Sequence, residues 1–169
     1  PTAPDGGEVE HEGSSLVERD ENGVAVLLGE TGATESKGRT HLAASCGCLR
    51  WSSDGGRTWD EPTSTGLDAP LGPLHAQRVP NNDAVVVVWN YSKPSKDNPF
   101  GPRAPMAFAV SHDHCKTWSR PVVITEKFGY MYNIFFSDKE MFITHLEGTG
   151  GVKLVIYDLK DVLALQPKK

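Results

Sequence analysis

"SSDGGRTWDEP", Ser52 to Pro62, is the stretch on which the fold turns. Ser52, Asp54, Gly56, Thr58 and Trp59 stand in a Ser-x-Asp-x-Gly-x-Thr-Trp spacing. Short polar side chains beside glycines make turns, because Asp, Ser and Thr bond nearby backbone groups and glycine accepts a positive φ. A tryptophan directly after such a turn supplies a large apolar anchor. The pattern recurs in "FAVSHDHCKTWSRP", where Ser111, Asp113, Thr117 and Trp118 keep the spacing and Thr117 falls 59 positions after Thr58. Cys115 takes the place of Gly56, where a side chain meets a cost if φ is positive.

Working outward, three passages share a second pattern: "SSLVERDENGVAVLLGE", "HAQRVPNNDAVVVVWN" and "YNIFFSDKEMFITHLE". Each is a short strand, a polar turn and a second strand dense in β-branched or aromatic residues, which is the signature of a hairpin. A long loop, a third strand and the Ser/Asp/Trp turn follow the first two hairpins, so the repeating unit is four antiparallel strands. Units of this kind, with no helix-period segment longer than "DLKDVLAL", predict an all-β fold built of propeller blades. The three units span roughly 8–70, 71–127 and 128–165, and the last lacks a Trp motif. The tail reads as a capping turn.

Composition narrows the partners. The 169 residues carry a net charge of −5 and no Lys/Arg cluster, a poor match for nucleic acid or an anionic membrane surface. The longest apolar run, Ala84 to Val88 leading into Trp89, is far short of the roughly 20 residues of a membrane-spanning helix. Cys46, Cys48 and Cys115 match neither a paired zinc set nor a disulfide scaffold. "HDH" at His112 to His114 has no third ligand nearby, so neither a metal nor another cofactor is expected. The opening "PTAPDGG" reads as a trimmed start, and the compartment is not readable, a secreted or periplasmic one being compatible.

"SSDGGRTW" resembles the Asp box of the sialidase superfamily, also called the BNR repeat, and "SHDHCKTW" resembles a degenerate second copy. The run from "LHAQRVPNNDAVVVVWN" to "YMYNIFFSDKEMFITHLE" is similar to the C-terminal half of a sialidase-like propeller. The resemblance implies a six-bladed parent fold, of which this chain has about three blades. Complementary N-terminal blades are therefore expected from the parent chain, another chain or a second copy. It also implies that Ser52, Asp54, Gly56, Thr58, Trp59, Ser111, Asp113, Thr117 and Trp118 are scaffold, closing turns between third and fourth strands.

Topology locates the chemistry. Chain direction reverses at each turn of a meander, so the start of strand one and the loop between strands two and three share the face opposite the boxes. That face receives Glu12 before the first hairpin, His75 before the second, and Tyr130 and Tyr132 at the third. The two-to-three loops add Glu30, Arg39, Asn90, Arg103 and Glu147. Loops this long are more often functional than connective, and a ring of Glu, His, Tyr and Arg at a channel mouth suits a carbohydrate ligand.

The resemblance implies roles for some of these. Tyr132 in "YMYNIFF" matches the family's nucleophile, with Tyr130 as rival, and Glu12 in "EGSSLVE" matches the glutamate that takes its proton. A phenol titrates near about pH 10, so it needs such a base and nearby cations. Arg103 in "PRAPMAFAVSHD" matches an arginine that clamps the substrate carboxylate bidentately. Glu30, His75, Asn90, Tyr130, Glu147 and Arg39 are expected to line the substrate site. Glu30 stands where the family carries a second clamping arginine, and a carboxylate there repels an acidic sugar. Two readings follow: an exo-acting glycosidase on sialic acid or another acidic sugar, or a carbohydrate-binding or adhesion propeller without turnover.

Overall fold

The computed structural model describes residues 15–19, 25–30, 46–52, 58, 60–61, 63–70, 74–93, 101–148 and 150–167, with side chains described for all but 15–19, 25–30, 46–49, 131 and 132. Of the box residues, Asp54, Gly56 and Trp59 lie outside the described residues.

The chain folds into three antiparallel sheets. The first holds β1 (Ser15–Arg19), β2 (Ala25–Glu30), β3 (Cys46–Ser52) and β4 (Thr63–Asp68) in sequence order. The second holds β5 (His75–Arg78), β6 (Val85–Asn90), β7 (Met106–Ser111) and β8 (Val122–Thr125), again in order. The third holds β9 (Gly129–Phe136), β10 (Glu140–Glu147) and β11 (Val152–Asp158). β1 neighbours β5, and β5 neighbours β9, so the first strand of each sheet is the inner one. This is the blade arrangement of part of a propeller.

The apolar run explains why the second sheet sits in the middle. Every residue of β6 and β7 is buried. Alternate side chains of a strand point to opposite faces, and the run divides accordingly. Val85, Val87 and Trp89 join Leu67, Leu74 and Trp118 in one core, toward the first sheet. Val86 and Val88 join Phe108, Ile134, Met141 and Ile143 in another, toward the third. The Trp89 indole donates to the Asp68 carbonyl at 2.8 Å, tying β6 to the end of β4. Phe108 meets Tyr157 edge to face at 4.9 Å on the other side.

The β5–β6 hairpin turns through Pro80 to Asp83, with Asn81 at φ 57 and the Asn82 side chain accepting from the Ala84 amide at 2.8 Å. Asn tolerates the left-handed region better than most residues, which suits it to this turn.

The second box is a self-satisfied turn. Asp113 accepts from the Thr117 amide at 2.8 Å, the Thr117 hydroxyl at 2.6 Å and the Ser111 hydroxyl at 2.9 Å. Ser111 in turn accepts from the Cys115 amide at 2.9 Å. Trp118 is buried in the core between the first and second sheets. His114 and Cys115 both take positive φ, 56 and 63, so the cysteine adopts the conformation that glycine would hold more easily. His112 donates through Nε2 to the Leu165 carbonyl at 2.9 Å, and among the described residues no cluster of His, Cys, Asp and Glu could hold a metal.

The third sheet departs from the four-stranded unit. After β11 the chain enters a short helix, α1 (Leu159–Leu163), capped by Asp158, which accepts from the Lys160 amide at 2.8 Å. Leu159 and Val162 fill the second core, and the tail then pairs Pro167 with Ser119 beside the second box. The other face of this sheet is left open: Phe135 on β9 and Val152, Leu154 and Ile156 on β11 are exposed, and the strand register puts them on one side. No described helix is long and apolar enough to cross a membrane.

Two outcomes test the box. Asp113→Ala is expected to cost about 1–3 kcal/mol, since it strands several donors, as read by urea denaturation. Burial raises the Asp113 value, but the bonds from Thr117, Ser111 and Lys116 outweigh it and hold the carboxyl below its ordinary range. A depressed folded value means that the difference between the two chains is full above the unfolded value of about 3.9 and shrinks as pH falls through the folded one. Burial first, then Asp113, pushes the Cys115 thiol up to about 12 despite an opposing Arg78. Iodoacetamide at pH near 8 should leave Cys115 unmodified in the folded chain and alkylate it in urea; alkylation at equal rates would contradict this burial.

Candidate functional site

The end of the blades away from the box turns gathers the strand ends His75, Asn90, Gly129 and Glu147 with the loop residue Arg103. Asn90 is the first polar residue after the apolar run of β6, and it is 1% exposed. A buried amide must find partners or pay for desolvation. Asn90 finds two: its Nδ2 donates to the Arg103 carbonyl at 3.0 Å and to the Gly129 carbonyl at 2.9 Å. The Gly129 amide also donates to the Arg103 carbonyl, at 3.1 Å. These bonds close a cycle joining the β6–β7 loop to the inner strand of the third sheet.

Gly129 lies close against the buried Met106 side chain of β7. A Cβ there would lie 2.8 Å from the Met106 sulfur and 3.1 Å from Met106 Cβ. A glycine opening a strand is a signal of close backbone approach, and the sequence reading passes over it.

The Arg103 guanidinium carbon sits 4.8 Å from the centre of the Tyr130 ring, within cation–π range. Tyr130 is stacked on Phe128, with ring centres 6.3 Å apart and planes inclined by 23°. Three residues of two adjacent blades thus form one stack: Arg103, Tyr130 and Phe128.

Glu147, at the end of β10, accepts from the Thr125 hydroxyl at 2.9 Å and pairs with Lys127 at 3.3 Å. It braces the connection between β8 and β9. His75, the first residue of β5, is half-buried; burial lowers its imidazole value, against an opposing bond with Gln77, which favours the neutral ring.

The structure therefore brings Asn90, Arg103 and Tyr130 together, and puts Glu147 on the same end, directly opposite Gly129 in the β9–β10 register. Both amide hydrogens of Asn90, expected to line the substrate site, go to main-chain carbonyls inside the protein. Tyr132 lies in β9, where the register slips so that Met131 and Tyr132 together oppose His145. Such bulges recur beside active sites. The side chain of Tyr132 lies outside the described residues, as does that of Glu30, whose backbone ends β2 opposite Gly47. Glu12 and Arg39 lie outside the described residues altogether.

Comparison with known proteins bears on the fold. A family model described as a BNR repeat-like domain matches residues 16–144. No curated protein matches the chain. Among solved structures, it is similar to the intramolecular trans-sialidase from Ruminococcus gnavus in complex with oseltamivir carboxylate, with a TM-score of 0.64 and 13% identity. That alignment covers 91% of this chain and 34% of the trans-sialidase chain. At this identity the likeness establishes the fold, that of part of a sialidase propeller.

Glu147 supplies a check on the site's electrostatics. The Thr125 hydroxyl and then Lys127 hold its carboxyl below the ordinary value, with Lys153 adding to the pull. Any stability it contributes is therefore present above the unfolded value of about 4.3 and is lost as pH falls through the folded one. An NMR titration should place its midpoint below about 4.3 and Thr125→Val should move it up; an unmoved midpoint would remove Thr125 as the cause.

Proposed function

The chain belongs to the BNR repeat-like domain family, and on that premise we propose that it supplies part of the carbohydrate site of a sialidase-like glycosidase acting on sialic acid or another acidic sugar. The observation that carries this reading is the Arg103 guanidinium held over Tyr130 at the end of the blades opposite the box turns. A planar guanidinium offers a carboxylate two parallel N–H donors, which an ammonium cannot do.

In this mechanism Arg103 holds the sugar carboxylate and Tyr132 attacks the anomeric carbon through its phenolic oxygen. Glu12 takes the phenolic proton as the bond to the leaving oxygen breaks, giving a covalent glycosyl-tyrosine that water then hydrolyses. The acid that protonates the leaving oxygen belongs, by the family pattern, to blades outside this chain. Further blades also suit the open apolar face of the third sheet, where Phe135, Val152, Leu154 and Ile156 lie exposed. An apolar sheet face is stable when another layer covers it. The trans-sialidase that this chain resembles is about three times its aligned length, which supports the same conclusion.

A second reading, a carbohydrate-binding or adhesion propeller without turnover, is favoured by Glu30. It stands where the family pattern has an arginine, and its charge opposes that of an acidic sugar.

Turnover of a fluorogenic sialoside by the protein with all its blades separates the two. Under the first reading Tyr132→Phe lowers kcat by at least about 100-fold. Arg103→Ala, which loses a charge-assisted pair, raises KM about 10- to 100-fold. Both variants should keep the unfolding midpoint of the parent. No turnover by the unaltered protein, with binding on a glycan array, would select the second reading.

A further inference from the structure

We propose that Tyr130 and Asn90 are positioning residues for the Arg103 guanidinium, Tyr130 holding its plane and Asn90 fixing the main chain from which it projects. The proposal rests on the reading of Arg103 as the carboxylate clamp. A bidentate clamp is selective only if the fork is held at one angle, and an arginine side chain has many rotamers to lose. The structure meets that demand at both ends of the residue.

At the main-chain end, the Arg103 carbonyl takes two hydrogen bonds, from Asn90 Nδ2 at 3.0 Å and from the Gly129 amide at 3.1 Å. Asn90 is buried, and its second hydrogen goes to the Gly129 carbonyl at 2.9 Å, so the Arg103 loop and the start of β9 are set by one side chain. The approach is close enough that a Cβ on Gly129 would require the Met106 side chain to shift. At the charged end, the guanidinium lies 4.8 Å from the centre of the Tyr130 ring. Phe128 stacks with that ring, centres 6.3 Å apart.

An aromatic face is a suitable holder for a clamp of this kind. A π face orients the guanidinium through its plane. Tyr130 follows directly from Gly129 in β9, so the bonds that place the Arg103 carbonyl also place the ring beneath its side chain. In this reading the tyrosine's function resides in its face and not in its hydroxyl, which sets it apart from a nucleophile.

The test uses the protein with all its blades, unaltered or carrying Tyr130→Phe, Tyr130→Leu or Asn90→Ala, titrated with N-acetylneuraminic acid and, separately, with its methyl ester. The Arg103 Nε–H signal in NMR spectra gives the affinity and, through the ring-current shift, reports whether the guanidinium still faces a ring. Tyr130→Phe should keep both the shift and the affinity for the acid. Tyr130→Leu should lose the shift and weaken acid binding about 2- to 30-fold, the range of a cation–π contact, while ester binding stays as it was. Asn90→Ala should weaken acid binding in the same direction; if it fails to fold, the two Tyr130 variants decide alone. Unchanged acid affinity in Tyr130→Leu would overturn the proposal, and so would an equal loss in Tyr130→Phe, because the hydroxyl would then be the group that matters. If the unaltered chain shows no preference for the acid over the ester while the ring-current shift is present, the clamp itself is refuted and the proposal falls with it. That outcome is distinct from the loss of the shift, which refutes the positioning contact alone.

Discussion

Burial of β6 and β7 on both faces is the constraint around which the rest is arranged. A strand covered on both sides has no solvent-facing parity, so Val85 to Trp89 and Met106 to Val110 are apolar throughout. Removing a Val side chain from water contributes about 1.5–3 kcal/mol, and the β6 run alone repeats that gain four times. Polar groups are thereby expelled to the strand ends. Polar side chains that remain buried there, Asn90 at one end and Ser111 at the other, have to bond backbone.

The two ends use that requirement differently. At the box end, Ser111, Asp113 and Thr117 satisfy one another and the amides of a single turn, so the motif closes locally. At the other end, Asn90 reaches across to a loop and to the next sheet, so its bonds fix one blade against another. A local closure yields scaffold. A bond between blades places Arg103 over a ring that the neighbouring sheet provides.

Much of this was legible in the chain. The hairpins, the second Ser/Asp/Trp turn and the all-β blade organisation are local patterns of period and spacing, and the sheets follow them. The positive φ of Cys115 follows from its standing at the glycine position of the repeat. The pairing of Arg103 with Tyr130, 27 positions on, was not legible, since nothing near either residue signals the other. Nor was the path of the tail, which packs Leu159 and Val162 into the second core and then returns to Ser119 beside the second box.

The sequence by itself determined the strands, the second box turn and the blade organisation. Those properties depend on alternation and turn chemistry within a dozen residues, which a linear reading contains. Tertiary structure alone decided that Asn90 ties the Arg103 loop to the third sheet, that Gly129 lies against the Met106 side chain, and that Glu147 bonds Thr125 and Lys127. Each of these depends on how closely one sheet approaches the next, a distance set by packing between segments far apart in the chain.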